Sequence, residues 1–437
     1  MDLTTSWIGF VSLAAFVLAY GLVITEEFTH FRKSIPVIVA AGVIWSLIGY
    51  HYAQFGATHA AEEAVKEYLV EFSQLFLFLL VAMTYVNSMT ERRVFDALRT
   101  RLTHRGYGYR QLFWITGAVA FFLSPLIDNL TTALVLCAVV LAVGKDNPKF
   151  IAVACINIVV AANAGGAFSP FGDITTLMVW QSGQLQTMDF LALFIPAVVS
   201  FLVPATIMSL TLPAKSLQGR GELVGVKPGG KVIVVLFACT VVTAVSFHNV
   251  LHLPPFLGMM TGLGYLKIYG YFLKRQEVAA ATRNTDTLNA GDIQAFDSFR
   301  EVARAEWDTL LFFFGVILSV GGLGFIGYLE HLSQAMYGDL GPLVANSLVG
   351  ILSAVVDNIP VMVAVLEMEP AMDSTQWLLV TLTAGVGGSM LSIGSAAGVA
   401  LMGQARGSYT FFSHLKWTPA IAAGYAASIW VHMLING

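Results

Sequence analysis

The sequence predicts an all-α polytopic membrane protein made of two inverted repeats, each with five transmembrane spans, one of them interrupted, plus a re-entrant helical hairpin. Composition is the first reason. Of 437 residues 57% are hydrophobic and 11% charged, with a mean hydropathy of +0.74, whereas a soluble domain carries about 25% charged residues. That balance makes the membrane the solvent throughout and leaves no soluble domain of any size. The second reason is the recurrence of apolar runs near the ~18-residue length of a membrane helix. The third is a pair of breaks, an Asp-Asn tip and then a glycine-rich interruption, that occurs in each half of the chain at a spacing of roughly 225 residues.

Orientation follows Lys and Arg in short loops, which collect on the cytoplasmic side, so the net charge of −4 matters less than where the charges lie. Span 1 covers residues 7–24; without a basic leader or an A-x-A site it reads as a span and not a secretion signal. Arg32 and Lys33 follow it, which puts the N-terminus outside and sends span 2 outward over 35–52. An acidic loop with Glu62, Glu63 and Glu67 comes next. Span 3, 69–89, then runs inward to Arg92, Arg93, Arg99, Arg101, Arg105 and Arg110, the strongest cytoplasmic marker in the chain.

Residues 111–144 decide the architecture, because they leave this basic loop and end at another basic flank, Lys145 and Lys149. Ser124-Pro125 and Asp128-Asn129 break the middle, leaving arms of about 14 residues that rise ~21 Å, short of the roughly 30 Å hydrocarbon core. A hairpin entered from the cytoplasm fits, provided its tip is buried in protein or lines a wet cavity. Span 4, 150–182, is unwound between Gly165 and Asp173 by three glycines and Pro170. Span 5, 190–212, returns to a basic loop with Lys215, Arg220, Lys227 and Lys231, the joint between halves.

The second half repeats the plan with its flanks swapped. Spans 6, 7 and 8 cover 232–247, 256–272 and 309–329, and a second hairpin, 342–366, is broken at Asp357-Asn358-Ile359-Pro360 between acidic flanks, so it enters from outside. Span 9, 377–402, is interrupted over 385–395 and reaches Arg406; span 10, 417–434, leaves the C-terminus outside. The repeats are thus 1–213 and 232–437, joined by a cytoplasmic linker at 214–231. Five crossings per half force the second half into the membrane upside down, as in many secondary transporters.

An Asp inside a membrane helix costs about 2.5 to 3.5 kcal/mol on insertion scales, and three lie at broken elements: Asp128, Asp173 and Asp357. Asp128 also suits the N-cap of its hairpin's second arm, but the same Asp-Asn pair recurs in the other half, where Ser or Thr would cap more cheaply. A sodium or lithium ion is a hard cation that wants several oxygen ligands. Asp128, Asn129, Asp357 and Asn358 are the expected metal ligands, with Thr131, Asn163, Ser169, Asp173, Thr175, Thr176, Ser389, Ser392 and Ser395 completing the cation and proton site. Proton and metal ion then compete for the same oxygens, and exposing that site alternately to the two sides suffices for antiport. No bound cofactor is implied.

Other polar residues take plainer readings. Glu71 and Asp308 lie near the starts of spans 3 and 8, where the helix dipole favours them. Lys267 is expected to snorkel, His30, His104, His248, His252 and His331 to be solvated, and Cys137, Cys155 and Cys239 to pack. The 274–306 loop, with both charge signs, reads as an amphipathic connector.

At these residues the chain resembles NhaD-type sodium/proton antiporters, within the wider ion transporter superfamily that includes arsenite-efflux and dicarboxylate carriers. The resemblance covers nearly the whole chain and rests on Ser124-Pro125-Leu126-Ile127-Asp128-Asn129-Leu130-Thr131-Thr132, on the stretch from Asn163 to Thr176, on Val356-Asp357-Asn358-Ile359-Pro360, and on the Gly387 to Ser395 break. It implies exchange of cytoplasmic Na⁺ or Li⁺ for external H⁺ at alkaline pH, in a bacterial inner membrane, by a homodimer. The family's polar residues carry over onto Asp128, Asn129, Asn163, Asp173, Thr175, Thr176, Asp357, Asn358, Ser392 and Ser395.

Three rivals are weaker. An oxyanion or dicarboxylate carrier of the same fold should not place Asp at both tips, since each would repel the substrate. An intramembrane hydrolase lacks H-E-x-x-H and G-x-S-x-G, and Ser169-Pro170-Phe171-Gly172-Asp173 stands where a two-aspartate protease would need G-x-G-D. A passive channel does not fit the repeat plan. Nothing in the charge pattern suggests nucleic acid; the partners are the ions and the lipid bilayer.

Overall fold

A computed structural model describes residues 2–29, 31–56, 58–144, 147–213, 223–284 and 296–437. His30, Lys145, Lys215, Arg220, half of the 214–231 joint and part of the 274–306 connector lie outside the described residues.

The described residues are helical wherever they are regular. The helices of eight residues or more are α1 (Trp7–Ile24), α2 (Ser34–Gln54), α3 (Thr58–Glu91), α4 (Val94–His104), α5 (Tyr109–Ile127), α6 (Asn129–Val143), α7 (Pro148–Gly166), α8 (Ile174–Gln181) and α9 (Phe194–Ser209). They continue with α10 (Gly230–Asn249), α11 (Pro255–Asn284), α12 (Trp307–Ile326), α13 (Pro342–Ser353), α14 (Asn358–Glu367), α15 (Ser374–Gly387), α16 (Ala396–Gln404) and α17 (Thr418–Asn436). Nine helices among the described residues are long and apolar enough to cross a bilayer, so the chain is an integral membrane protein. Burial separates them by role. The apolar windows of α1, α10 and α17 are only 28%, 22% and 28% buried, which suits lipid-facing helices, whereas α7 is 94% buried and has no side left for lipid.

Packing divides the chain into two compact units, one of Met1–Phe72, Leu102–Gly221 and Leu311–Gly437, the other of Ser73–Arg101 and Glu222–Leu310. The first holds α5 to α8 and α13 to α16. In it α2 lies along α12: Trp45 donates its indole N–H to the Leu318 carbonyl at 2.8 Å, Ser319 donates to the Val37 carbonyl at 3.2 Å, and Ile44 and Ile48 are fully buried. The two enclosed helices begin on side-chain caps, with Asn147 accepting from the Phe150 N–H ahead of α7 and Asp373 from the Gln376 N–H ahead of α15. Each ends at a glycine break.

Those breaks are closed in the same way twice. Gly166 meets Gly172 backbone to backbone, and Gly388 meets Gly394, so each interruption folds onto itself through a pair of glycines six residues apart. The residue before each pair is also a glycine against a neighbouring helix: Gly165 lies on the Phe121 carbonyl of α5 and Gly387 on the Gly350 carbonyl of α13, with no room for a Cβ at either. Small residues at such crossings let backbones approach closely in a membrane.

Two expectations need correction. Ser124-Pro125 does not break the first hairpin: α5 runs 19 residues through Pro125 to Ile127, and the chain turns only at Asp128. Pro125 removes the N–H that would bond the carbonyl of Phe121 four residues earlier, and that carbonyl is the one packed on Gly165, so the proline sits where its missing donor does least harm. Consequently the short-arm argument holds for α6, whose 15 residues rise about 22 Å, and for α13 and α14, but not for α5. Second, α3 begins at Thr58, more than three turns before Glu71, so the dipole reading of Glu71 fails; Glu62 and Lys66 pair at 2.6 Å on this added stretch. Asp308, in the first turn of α12, keeps that reading.

The second unit is organised around Tyr85, whose hydroxyl donates to the Gly262 carbonyl at 2.7 Å and accepts from Thr240 at 2.9 Å. Arg92, read above as a loop marker, is 1% exposed: it pairs with Glu91 and Glu277, lies 4.8 Å from the centre of the Phe296 ring, and accepts the Lys227 N–H on its own carbonyl. Lys267 sits 3.5 Å over the Phe299 ring. Cys137 and Cys155 pack with sulfurs 3.7 Å apart, while Cys239 is exposed on the lipid-facing α10.

The glycine contacts are testable. Gly165→Ala and Gly387→Ala should each destabilise the protein by about 3 kcal/mol or more through backbone overlap, read as a lower thermal midpoint in detergent. Gly264→Ala, where a Cβ meets nothing within 4 Å, should leave the midpoint unchanged or raise it. Equal midpoints for all three would discard the packing account.

Candidate functional site

The first tip is held by its own residues. Asp128 adopts φ +92°, rare for a residue with a side chain, and its carboxylate accepts from the Thr131 N–H at 2.7 Å and from the Thr131 hydroxyl at 2.9 Å. Asp128 and Thr131 therefore cap α6, the structural role that a tip Asp can also play. Asn129 is buried, and its amide donates to Asn163 of α7 at 3.0 Å; Asn163 in turn donates to the Ser389 hydroxyl at 2.9 Å in the break after α15.

The second tip meets the other break. Asp173 caps α8, accepting from the Ile174 N–H at 2.7 Å, while Thr176 donates to the Asp173 carbonyl and accepts from its N–H. The remaining Asp173 oxygen accepts from the Asn358 amide of α14 at 2.8 Å. Asp357, beside it, is in electrostatic range of Asp173. One Asp357 oxygen lies 3.8 Å from the Lys33 ammonium, and the other is buried without a hydrogen bond of ordinary geometry.

Asp357 Oδ1, Thr132 Oγ1 and Ser392 Oγ are buried without such bonds, while the Thr175 side chain is directed to Asp173. Leaving a buried polar group unsatisfied costs ~1–3 kcal/mol, and oxygens in that state are what a hard cation takes up. Among the described residues no three His, Cys, Asp or Glu side chains are placed to hold a metal ion together.

The chain matches the citrate transporter family, CitMHS, over residues 4–385. It is 55% identical to the Na(+)/H(+) antiporter NhaD of Vibrio cholerae, across 100% of this chain and 94% of that protein, and 56% identical to the NhaD of Alkalimonas amylolytica, across 100% and 92%. The chain belongs to the NhaD-type branch of the citrate transporter family. Identity is 32% to sodium/proton antiporter 1 of Arabidopsis thaliana, over 99% of this chain and 74% of that one.

In this NhaD-type chain the predicted residues fall into two linked groups, Asp173 with Asp357 and Asn358, and Asn129 with Asn163 and Ser389. The links run from each tip toward the break of the other half, Asn358 to Asp173 directly and Asn129 to Ser389 through Asn163. Ser169 ties the first break to the Pro125 carbonyl at 3.0 Å, and Ser395 caps α16 by accepting from Gly398. Sequence reasoning missed Lys33, taken for a topology marker. It also missed Ser124 and Ser353, each four residues before a tip Asp, which donate to the Gly172 and Ala384 carbonyls; comparing the two tips would have found them. Nothing in the local sequence marks His414, whose buried ring bonds the Ser389 carbonyl at 2.8 Å and the Tyr409 hydroxyl at 2.7 Å.

Two outcomes follow. Asn163→Ala strands Asn129 and Ser389 and should lower stability by ~1–3 kcal/mol, measured as a drop in thermal midpoint; an unchanged midpoint would show the bridge to be idle. Burial pushes the His414 imidazole down to about 4. Because that lies below the ordinary value of about 6.5, its contribution is present above pH ~6.5 and lost as pH falls toward 4. Wild type should therefore lose more thermal stability than His414→Gln between pH 7 and pH 5, and parallel curves would refute this.

Proposed function

We propose that the chain exchanges cytoplasmic Na⁺ or Li⁺ for external H⁺ by alternating access, at a site near the middle of the membrane centred on Asp173, Asp357 and Asn358. The observation that carries this reading is the hydrogen bond from Asn358 to Asp173, which brings a carboxylate of one interrupted span to the tip of the other hairpin with a second carboxylate in range. The 55% identity to a protein named Na(+)/H(+) antiporter supports the choice of ions.

Asp173 and Asp357 accept either protons or the alkali ion, and Thr132, Thr175 and Ser392 supply neutral oxygens. Asp128 and Asn129 complete the site from the first tip, where Asp128 also holds Thr131. Competition between H⁺ and Na⁺ for one set of oxygens couples the two fluxes without a separate device. Two inverted repeats, 1–213 and 232–437, with re-entrant hairpins would supply the alternation; the recurrence of the same glycine contacts in both halves supports them. A homodimer, an inner-membrane location with both termini outside, and activity at alkaline pH belong to the same reading.

The family description names citrate, which gives a carrier of a dicarboxylate or similar anion as the second reading. The site opposes it, because Lys33 is already matched by Asp357 and the remaining acid would repel an anion.

Everted vesicles holding a proton gradient test both. Added Na⁺ or Li⁺ should collapse the gradient, added K⁺ and citrate should not, and Asp173→Asn and Asp357→Asn should each reduce the flux by roughly a hundredfold or more at wild-type protein levels, as for an interaction essential to the step. Full flux in both variants would discard the site; a response to citrate alone would favour the anion carrier.

A further inference from the structure

Lys33 reaches Asp357 from outside both tips and both breaks. It stands at the N-cap position of α2 with its side chain 16% exposed, as is that of Asp357, and its ammonium is 3.8 Å from Asp357 Oδ2 and 4.6 Å from the centre of the Phe312 ring. At 3.8 Å the pair is an electrostatic contact and not a hydrogen bond. The ammonium is thus held near the carboxylate, partly by an aromatic face, without being locked to it.

We propose that Lys33 is a tethered competitor for Asp357: its ammonium neutralises the carboxylate when no alkali ion is bound and is displaced when one arrives. The idea rests on the exchange reading above and deepens it. A lysine ammonium and Na⁺ are both monovalent cations attracted to the same oxygens. The lysine cannot diffuse away, so it acts at a high effective concentration, and the apparent affinity for Na⁺ is reduced by the fraction of time that Asp357 is occupied. The tether also means that ion release toward either side leaves no bare carboxylate behind. Asp173 has no such cation; Asn358 serves it instead.

Exchange kinetics in everted vesicles decide this. Lys33→Gln should lower the KM for Na⁺ by roughly tenfold, as removing an occupant of the site requires, with a maximal rate unchanged or reduced. Lys33→Arg keeps the charge and should give a KM at or above wild type. In an Asp357→Asn background, with Na⁺ binding read by its protection against thermal unfolding, Lys33→Gln should change nothing further. A KM for Lys33→Gln that is unchanged or raised overturns the proposal, as does a fall in Lys33→Arg. Should Lys33→Gln not accumulate in the membrane, Lys33→Arg still decides, since a lower KM with the charge present contradicts competition. Wild-type vesicles separate the two levels: no Na⁺- or Li⁺-driven proton flux in wild type defeats the exchange reading, whereas normal wild-type flux with an unmoved KM in Lys33→Gln defeats only this one.

Discussion

The carboxylate of Asp173 is the constraint around which the rest is arranged. A buried charge is tolerated only when its oxygens are satisfied, and Asp173 meets that condition from two directions: the N-terminus of its own α8 engages one oxygen, and Asn358 of α14 engages the other. The second partner is distant in sequence, so the interrupted span and the hairpin must be brought together by backbone. Gly165 on Phe121 and Gly387 on Gly350 fix each enclosed helix against a neighbour of its own half, α7 on α5 and α15 on α13, because a methyl group at either crossing would hold those helices apart.

The two halves share this backbone plan but not its chemistry. Counted from the glycine pairs that close each break, Asp173 directly follows Gly172 and Ser395 directly follows Gly394, so one break ends on an acid and the other on a hydroxyl. Likewise Asn163 stands where the second half has Gly385, and it is Asn163 that reaches across to Ser389. The tips differ too. Asp128 is wrapped around Thr131, while Asp357 keeps one oxygen without a hydrogen bond of ordinary geometry and faces Lys33 with the other. At matching places the two halves thus carry unequal side chains.

The span positions were largely legible, because apolar runs and their ends are local: residues 7–24 form α1 with no shift, and the breaks at 165–173 and 385–395 fall where glycine and proline put them. Asp128-Asn129 and Asp357-Asn358 stood out because acids and amides are rare in apolar runs. What could not be read was partnership. Lys33 follows an apolar run as any topology marker does, and only three-dimensional packing turns it toward a residue more than 300 positions later. Arg92 misled for the same reason, a buried clamp looking locally like a basic loop. Pro125 misled differently, since a proline in the last turn of a helix can be accommodated when the carbonyl it deprives faces a glycine.

The near-complete enclosure of α7 bears on how the chain is made. Its 19 residues are apolar enough to enter the bilayer as soon as they are synthesised, yet they carry Asn157 and Asn163. Asn157 finds the Phe113 carbonyl of the earlier α5 at once, whereas the acceptor of the Asn163 amide is Ser389, 226 residues further on. That amide therefore gains its acceptor only once residue 389 has been made, and a chain lacking Ser389 would leave a buried donor on α7 unsatisfied.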